Sequence, residues 1–129
     1  MIPFRLTFTP GISLYEQVVY AAKKAIIAGQ LRPGDAFPSV RSLSRELKIN
    51  PNTAHKVVTQ LTAEGLLEVR VGSGTVVAKP SASTAAERAK LLNKELEQLV
   101  VEAKRLGVDL AAVHAALDRH WERLEDKQK

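Results

Sequence analysis

No cysteine occurs in the chain. Disulfides, thiol catalysis and every cysteine-based metal site are excluded at once. Long apolar runs are missing too: nothing approaches the roughly 18 consecutive apolar residues of a membrane-spanning helix. Residues Met1 to Pro10 lack the basic patch and extended apolar run of a secretory leader. A cytoplasmic location is therefore expected, with no membrane partner. The signatures of catalysis are absent as well. Gly72-Ser73-Gly74 is too short for a phosphate-binding loop, and no helical pattern follows it. No nucleophile elbow is present, and Ser, His and Asp are scattered without a spacing that gathers them. Metal-ligand sets fare no better. His114 and His120 are six residues apart, on different faces of a helix, and His55 lies far away with no acidic residue to complete a set. Neither an enzyme nor a metal or other cofactor is expected.

What remains is an ordinary globular composition, 45% apolar over 129 residues. Charge becomes informative once it is divided along the chain. Residues 1–80 hold ten Lys and Arg against five Asp and Glu, while residues 81–129 hold nine of each. The whole excess of +5 therefore sits in the first 80 residues. A basic excess confined to one part points to a polyanionic partner for that part. Many soluble domains carry as much charge and bind nothing anionic, so the order of elements has to decide.

Phe4, Leu6 and Phe8 alternate with Arg5, Thr7 and Thr9 until Pro10-Gly11, which predicts a short extended arm laid on the body. Ser13 and Glu16 form a capping-box pattern before a helix from Leu14 to near Ala28. Leu14, Val18, Ala22 and Ile26 mark its apolar face, and Gly29 stops it. Arg32-Pro33-Gly34-Asp35 reads as a turn. Ser39 caps a second helix with Val40, Leu43 and Leu47 at helical spacing. Asn50 caps a third, and Pro51 suits its first position, where a missing N–H costs nothing. Lys48, Ile49 and Asn50 alone separate the two, the length of a helix-turn-helix turn. After Gly65 the period changes to two. Leu67, Val69 and Val71 alternate with Glu68 and Arg70, then Gly72-Ser73-Gly74 leads into Thr75-Val76-Val77, a hairpin with a glycine turn. Lys79 to Ser83 reads as a linker.

Beyond the linker, Thr84-Ala85-Ala86-Glu87 repeats the capping-box pattern. Ala85, Ala89, Leu92, Leu96, Leu99, Ala103 and Leu106 follow at steps of four and three, a heptad seam. Gly107 ends that helix. Asp109 can cap another, with Leu110, Val113, Leu117, Trp121 and Leu124 along one face. Residues 125–129 are expected to fray. Two such helices cannot enclose a drug-sized cavity of roughly 300 Å³ or more. The seam is instead expected to take a second copy of the chain, with Leu92, Leu96, Leu99, Ala103, Leu106, Leu117 and Trp121 as dimerisation residues. Folding of the seam onto the chain's own body competes with that reading. Whether a small-molecule effector binds stays open.

Helix, short turn, helix and glycine-tipped hairpin follow the order of a winged helix-turn-helix. At about 100° per residue, Ala54, Val57, Val58 and Leu61 gather on one side of the third helix. Asn52, Lys56, Thr59 and Ala63 gather on the other, with His55 at the edge. Such side chains suit groove edges and phosphates. Any surface helix has a polar face, but the docking geometry of the motif favours the DNA reading here. Arg70 and Ser73 flank a turn whose glycine lets the backbone come close to DNA. The expected fold is mainly α with a small β-wing: a winged helix-turn-helix DNA-binding domain over 1–80 and a helical dimerisation segment over 81–129.

Several of these motifs fall in one order at one spacing. They are Ala36-Phe37-Pro38-Ser39-Val40-Arg41-Ser42-Leu43, Ile49-Asn50-Pro51-Asn52-Thr53, Leu61, Glu64-Gly65-Leu66-Leu67 and Gly72-Ser73-Gly74-Thr75. Together they resemble the GntR family of bacterial transcription regulators, closely over residues 10–78. The Asn-Pro-Asn-Thr start and short two-helix tail are similar to its YtrA-like subfamily. The resemblance implies a homodimer on double-stranded DNA, bound to a near-palindromic operator, usually as a repressor. It places DNA contacts on Arg41, on Asn50, Asn52, Thr53 and His55, and on the wing glycine Gly72. Lys56, Arg70 and Ser73 join them from the reading of the faces. Pro51 and His55 stand where members often carry Arg or Thr, and Arg, respectively. Val71 replaces a polar wing-tip residue of some members. These departures bear on base preference rather than on binding.

Two competitors predict different behaviour. A protein-interaction module, using the winged fold or seam to dock a foreign chain, has no DNA affinity. A non-specific nucleic-acid binder driven by the +5 charge ignores sequence.

Overall fold

Three capped helices frame the first part of the chain, whose computed structural model describes residues 2–125. The fraying expected beyond Glu125 falls outside those residues. The chain divides into two units, one of residues up to Pro80 with Glu125, the other Ser81–Leu124.

In the first unit, α1 is Leu14–Ile27, α2 is Val40–Leu47 and α3 is Pro51–Ala63. Each begins where a side chain supplies the acceptor that the first turn lacks. The Ser13 hydroxyl accepts from the Glu16 N–H at 3.1 Å, Ser39 from Ser42 at 3.1 Å, and Asn50 from Asn52 at 2.7 Å. Lys48 makes the turn between α2 and α3 in the left-handed region, φ 56°, alone among the described non-glycine residues. Ser44 then closes it twice: its carbonyl accepts from the Ile49 N–H at 3.1 Å, and its hydroxyl donates to the Ile49 carbonyl at 2.7 Å.

The core of this unit gathers Val18 and Ala22 of α1, Leu43 of α2, Ala54, Val57 and Leu61 of α3, and Val77. Burial on α1 takes in Val18 and Ala22 of the expected row, with Val19 and Ala25 beside them. Four residues overshoot a helical turn by about 40°, so the row drifts: Leu14 at one end leaves the buried face, while Ile26 at the other is half-buried against the core. Leu14 is 42% exposed. The N-terminal arm is not a strand. Phe4 is buried, its ring stacked on Phe37 with centroids 6.1 Å apart. Gln17 pins the end of the arm by exchanging two bonds with the Thr9 backbone and donating to the Ile12 carbonyl at 2.7 Å. Phe8, expected on the same inner row, points away and is exposed.

Strand β1, Leu67–Arg70, pairs antiparallel with β2, Gly74–Val77, with Leu67 opposite Val77 and Arg70 opposite Gly74. Val71 belongs to the turn, not to β1. The segment before α2, expected only as a turn, lies along the other edge of β2. Phe37 donates to the Thr75 carbonyl at 2.9 Å, Val77 to Asp35 at 2.9 Å and Gly34 to Val77 at 2.8 Å. That pairing ties the hairpin to the start of α2 and fixes where the wing projects.

In the second unit, α4 is Ala85–Ala89, closed by a complete capping box between Thr84 and Glu87. A π-helical stretch, Lys90–Glu95, joins it to α5, Leu96–Arg105, with right-handed helical backbone at both junctions. The expected seam does not cross this stretch in register. A π turn takes up extra residues, so Ala85 and Ala89 no longer stand in line with Leu96, Leu99 and Ala103. Helix α6 is Leu110–Arg123, where the Asp109 carboxylate accepts from the Ala112 N–H at 2.8 Å. Among the described residues of α4, α5, α6 and the π stretch, none is buried.

Candidate nucleic-acid interface

Helix α3 turns its small and branched side chains inward, and that decides what it shows outward. Ala54, Val57 and Leu61 are fully buried, while Asn52, His55, Lys56 and Thr59 are exposed. Thr53 is half-buried, so its reach is shorter. Thr62 is also exposed, but its hydroxyl donates back to the Val58 carbonyl at 2.7 Å. Asn50 spends its carbonyl oxygen on the helix cap, which leaves its amide nitrogen to face a ligand. The first turn of α3 carries no acidic residue. Its positive dipole end is thus uncompensated, an arrangement that favours an anion.

Helix α2 sets two cations beside that end. Arg41 and Arg45 are exposed and, with Val40, Ser44 and Pro51, line one open groove between the starts of α2 and α3. Arg45 carries no mark in the hydrophobic pattern; its place four residues after Arg41 is the signal for it. At the far end of α3, Glu64 is engaged away from this face, paired to Lys23 of α1 and accepting from the Gln60 amide at 2.9 Å. Partial burial pushes its carboxyl up, but the bonds from Lys23 and Gln60 and the charge of Lys23 outweigh that and hold it below the ordinary carboxylate value.

On the wing, Arg70 is engaged within the chain. The Arg70 guanidinium donates from Nε and Nη2 to one Glu68 carboxylate oxygen, at 3.0 and 2.8 Å. In the free chain the cation of the wing is thus already partnered. Gly72 and Ser73 lie exposed at the tip, and the Ser73 N–H donates to the Arg70 carbonyl at 3.1 Å. Gly72 has φ 84°, the left-handed value required at the third position of such a turn.

The tail residues Leu92, Leu96, Leu99, Leu106, Leu117 and Trp121 are exposed, and Ala103 is half-buried. Among the described residues, no three His, Asp or Glu are grouped to hold a metal ion, and no helix is long and apolar enough to cross a membrane.

Comparison with known proteins places this architecture. Residues 14–77 match the family of bacterial regulatory proteins named gntR. The transcriptional repressor YtrA of Bacillus subtilis (strain 168) is 34% identical over 102 residues, which span 78% of each chain. The uncharacterised regulator YhcF of the same strain is 32% identical over 101 residues, 78% of this chain and 84% of that one. A crystal structure of a transcriptional antiterminator from Listeria monocytogenes EGD-e superposes with a TM-score of 0.83, covering 94% of this chain and 91% of its own. At 24% identity that likeness shows the shared fold. The chain belongs to the gntR family. It is a winged-helix, DNA-binding transcription regulator, and its relatives are regulators rather than enzymes.

Proposed function

We propose that this gntR-family chain works as a cytoplasmic homodimer that grips a near-palindromic operator and represses transcription. One observation carries the reading. The polar outer face of α3, with Asn52, His55, Lys56 and Thr59 exposed, stands beside Arg41 and Arg45 at an uncompensated helix end.

In this reading residues 1–80 are the DNA-binding domain. Helix α3 lies in the major groove, a geometry common to the motif. Asn52 and His55 meet base edges, with Thr53 behind them and the Asn50 amide at the helix start. Arg41 and Lys56 hold phosphates or guanine edges. Gly72 lets the wing backbone approach, Ser73 bonds the flanking backbone or minor groove, and Arg70 exchanges Glu68 for a phosphate. Residues 81–129 form the dimerisation segment. Leu92, Leu96, Leu99, Leu106, Leu117 and Trp121 keep 43–75% of their surface exposed in the single chain, and Ala103 is half-buried. An apolar surface of this extent marks an interface, and a two-fold dimer presents two α3 helices to two half-sites. Repression is supported by the likeness to the B. subtilis transcriptional repressor YtrA.

The test is a fluorescence-anisotropy titration of purified protein on the DNA upstream of its own gene and on a scrambled duplex, at two salt concentrations. Tight binding to one duplex with two subunits per site supports the reading. Equal, weak binding to both, lost at higher salt, replaces it with a sequence-blind binder. No binding at either salt turns it to protein docking.

A further inference from the structure

We infer that the wing tip reads the minor groove through an apolar contact, in which Val71 selects base pairs that carry no guanine amino group. The inference rests on the placement of α3 in the major groove and of the wing beside it on the same duplex.

Val71 forms the crest of the hairpin and is fully exposed, at 105% of its reference accessibility. Val69, two residues back on β1, is 74% exposed. Arg70, the sole cation of residues 67–77, is turned onto Glu68, the sole acid there. The crest itself, Val71 to Gly74, carries no charged side chain, whichever partner Arg70 takes below it. It is also slim. Gly72 and Gly74 carry no side chain, and one placed on either would stand in open space. What advances is backbone, one valine and one serine.

The dimensions of DNA select the groove. The major groove, about 12 Å wide, admits a helix or a whole two-stranded ribbon; the minor groove is about 6 Å wide. A crest stripped to this size suits the second. On its floor A·T and T·A pairs present acceptors only, whereas G·C adds the guanine N2 amino donor. That amino group occupies the space the valine methyls would fill. Valine offers it no acceptor, so closing the contact strands a buried donor. On A·T pairs the methyls close against the sugar walls, and the Ser73 hydroxyl has adenine N3 or thymine O2 to donate to. Val71 thus discriminates by exclusion, and equally for A·T and T·A.

The test starts from the tightest duplex selected out of a random pool. Pairs flanking each half-site are replaced in turn by G·C and by I·C, since inosine keeps the major-groove edge of guanine and lacks its amino group. The wild type is expected to bind the G·C duplex about tenfold more weakly, within the usual cost of one mismatched pair, and to recover on I·C. Val71→Ser is expected to bind the selected duplex while losing most of that discrimination, with an unchanged melting temperature because the side chain touches no core. Equal losses on G·C and I·C overturn the inference, as does a G·C penalty that survives in Val71→Ser. If the wild type selects no duplex at all, the DNA reading of α3 fails first and takes this one with it.

Discussion

Replacing Leu96 and Leu99 together by alanine separates a dimerisation segment from a tail that merely lies in solvent. In the single chain Leu96 is 43% and Leu99 50% exposed. Burying a leucine side chain completely stabilises by roughly 1.5–3 kcal/mol. With about half of each surface left to cover, each leucine contributes about 1 kcal/mol on association. Two-fold symmetry counts every residue twice, so the double substitution removes about 4 kcal/mol, near a thousandfold in the dimer dissociation constant. Alanine keeps the helix propensity, so circular dichroism should report similar helicity at concentrations where both proteins are paired. Sedimentation equilibrium over a wide concentration range measures the rest. A double variant that self-associates as the wild type does, or a wild type that stays monomeric throughout, would refute the placement of the interface on α5.

Three further outcomes follow from the winged unit. Asn50→Ala removes the acceptor at the start of α3 and should cost about 1 kcal/mol, lowering the melting temperature by about 4–8 °C; an unshifted thermal transition would show that water serves as well. Arg41→Ala and Arg45→Ala, if each side chain holds one phosphate, should weaken specific and random DNA alike and reduce the slope of log K against log salt by about 0.9. A loss of about 1–3 kcal/mol on the specific duplex alone would mark a base contact, and unchanged isotherms for both variants would remove α2 from the interface. Because folding holds Glu64 below its ordinary carboxylate value of 4.5, the unfolded chain takes up that proton first in acid. The stability from the Lys23 pair is therefore present above 4.5 and lost as pH falls through the lowered value. Denaturant titrations of Glu64→Gln along a pH series should show a flatter acid limb than the wild type, and an identical limb would locate the acid sensitivity elsewhere.

The elements whose ends are written in local chemistry were legible without coordinates. Ser13, Ser39, Asn50 and Asp109 each cap the helix that their position foretold. The inner face of α3 was legible because a 3.6-residue period leaves little choice for Ala54, Val57 and Leu61. What escaped depends on partners distant in the chain. Pairing of Asp35 and Phe37 with β2 is set by the fold of the whole unit, and nothing around Gly34 announces an extended edge. The arm from Phe4 reads as a strand but finds a glutamine side chain where a strand would find another strand. The capture of Arg70 by Glu68 across one intervening residue competes with any role in binding, and alternation alone does not reveal it. The π stretch at Lys90–Glu95 interrupts a heptad that is regular on paper.

If the tail pairs as proposed, the contrast between a winged unit with its own buried cluster and a tail with none sets an order of assembly. The first holds its own core, whereas in the proposed dimer the second completes a core only when two chains meet. Below the dissociation constant of that meeting, the paired form rises with the square of the chain concentration. Each doubling of expression then delivers a fourfold rise in assembled protein, and a gene under its control would respond as a threshold rather than in proportion.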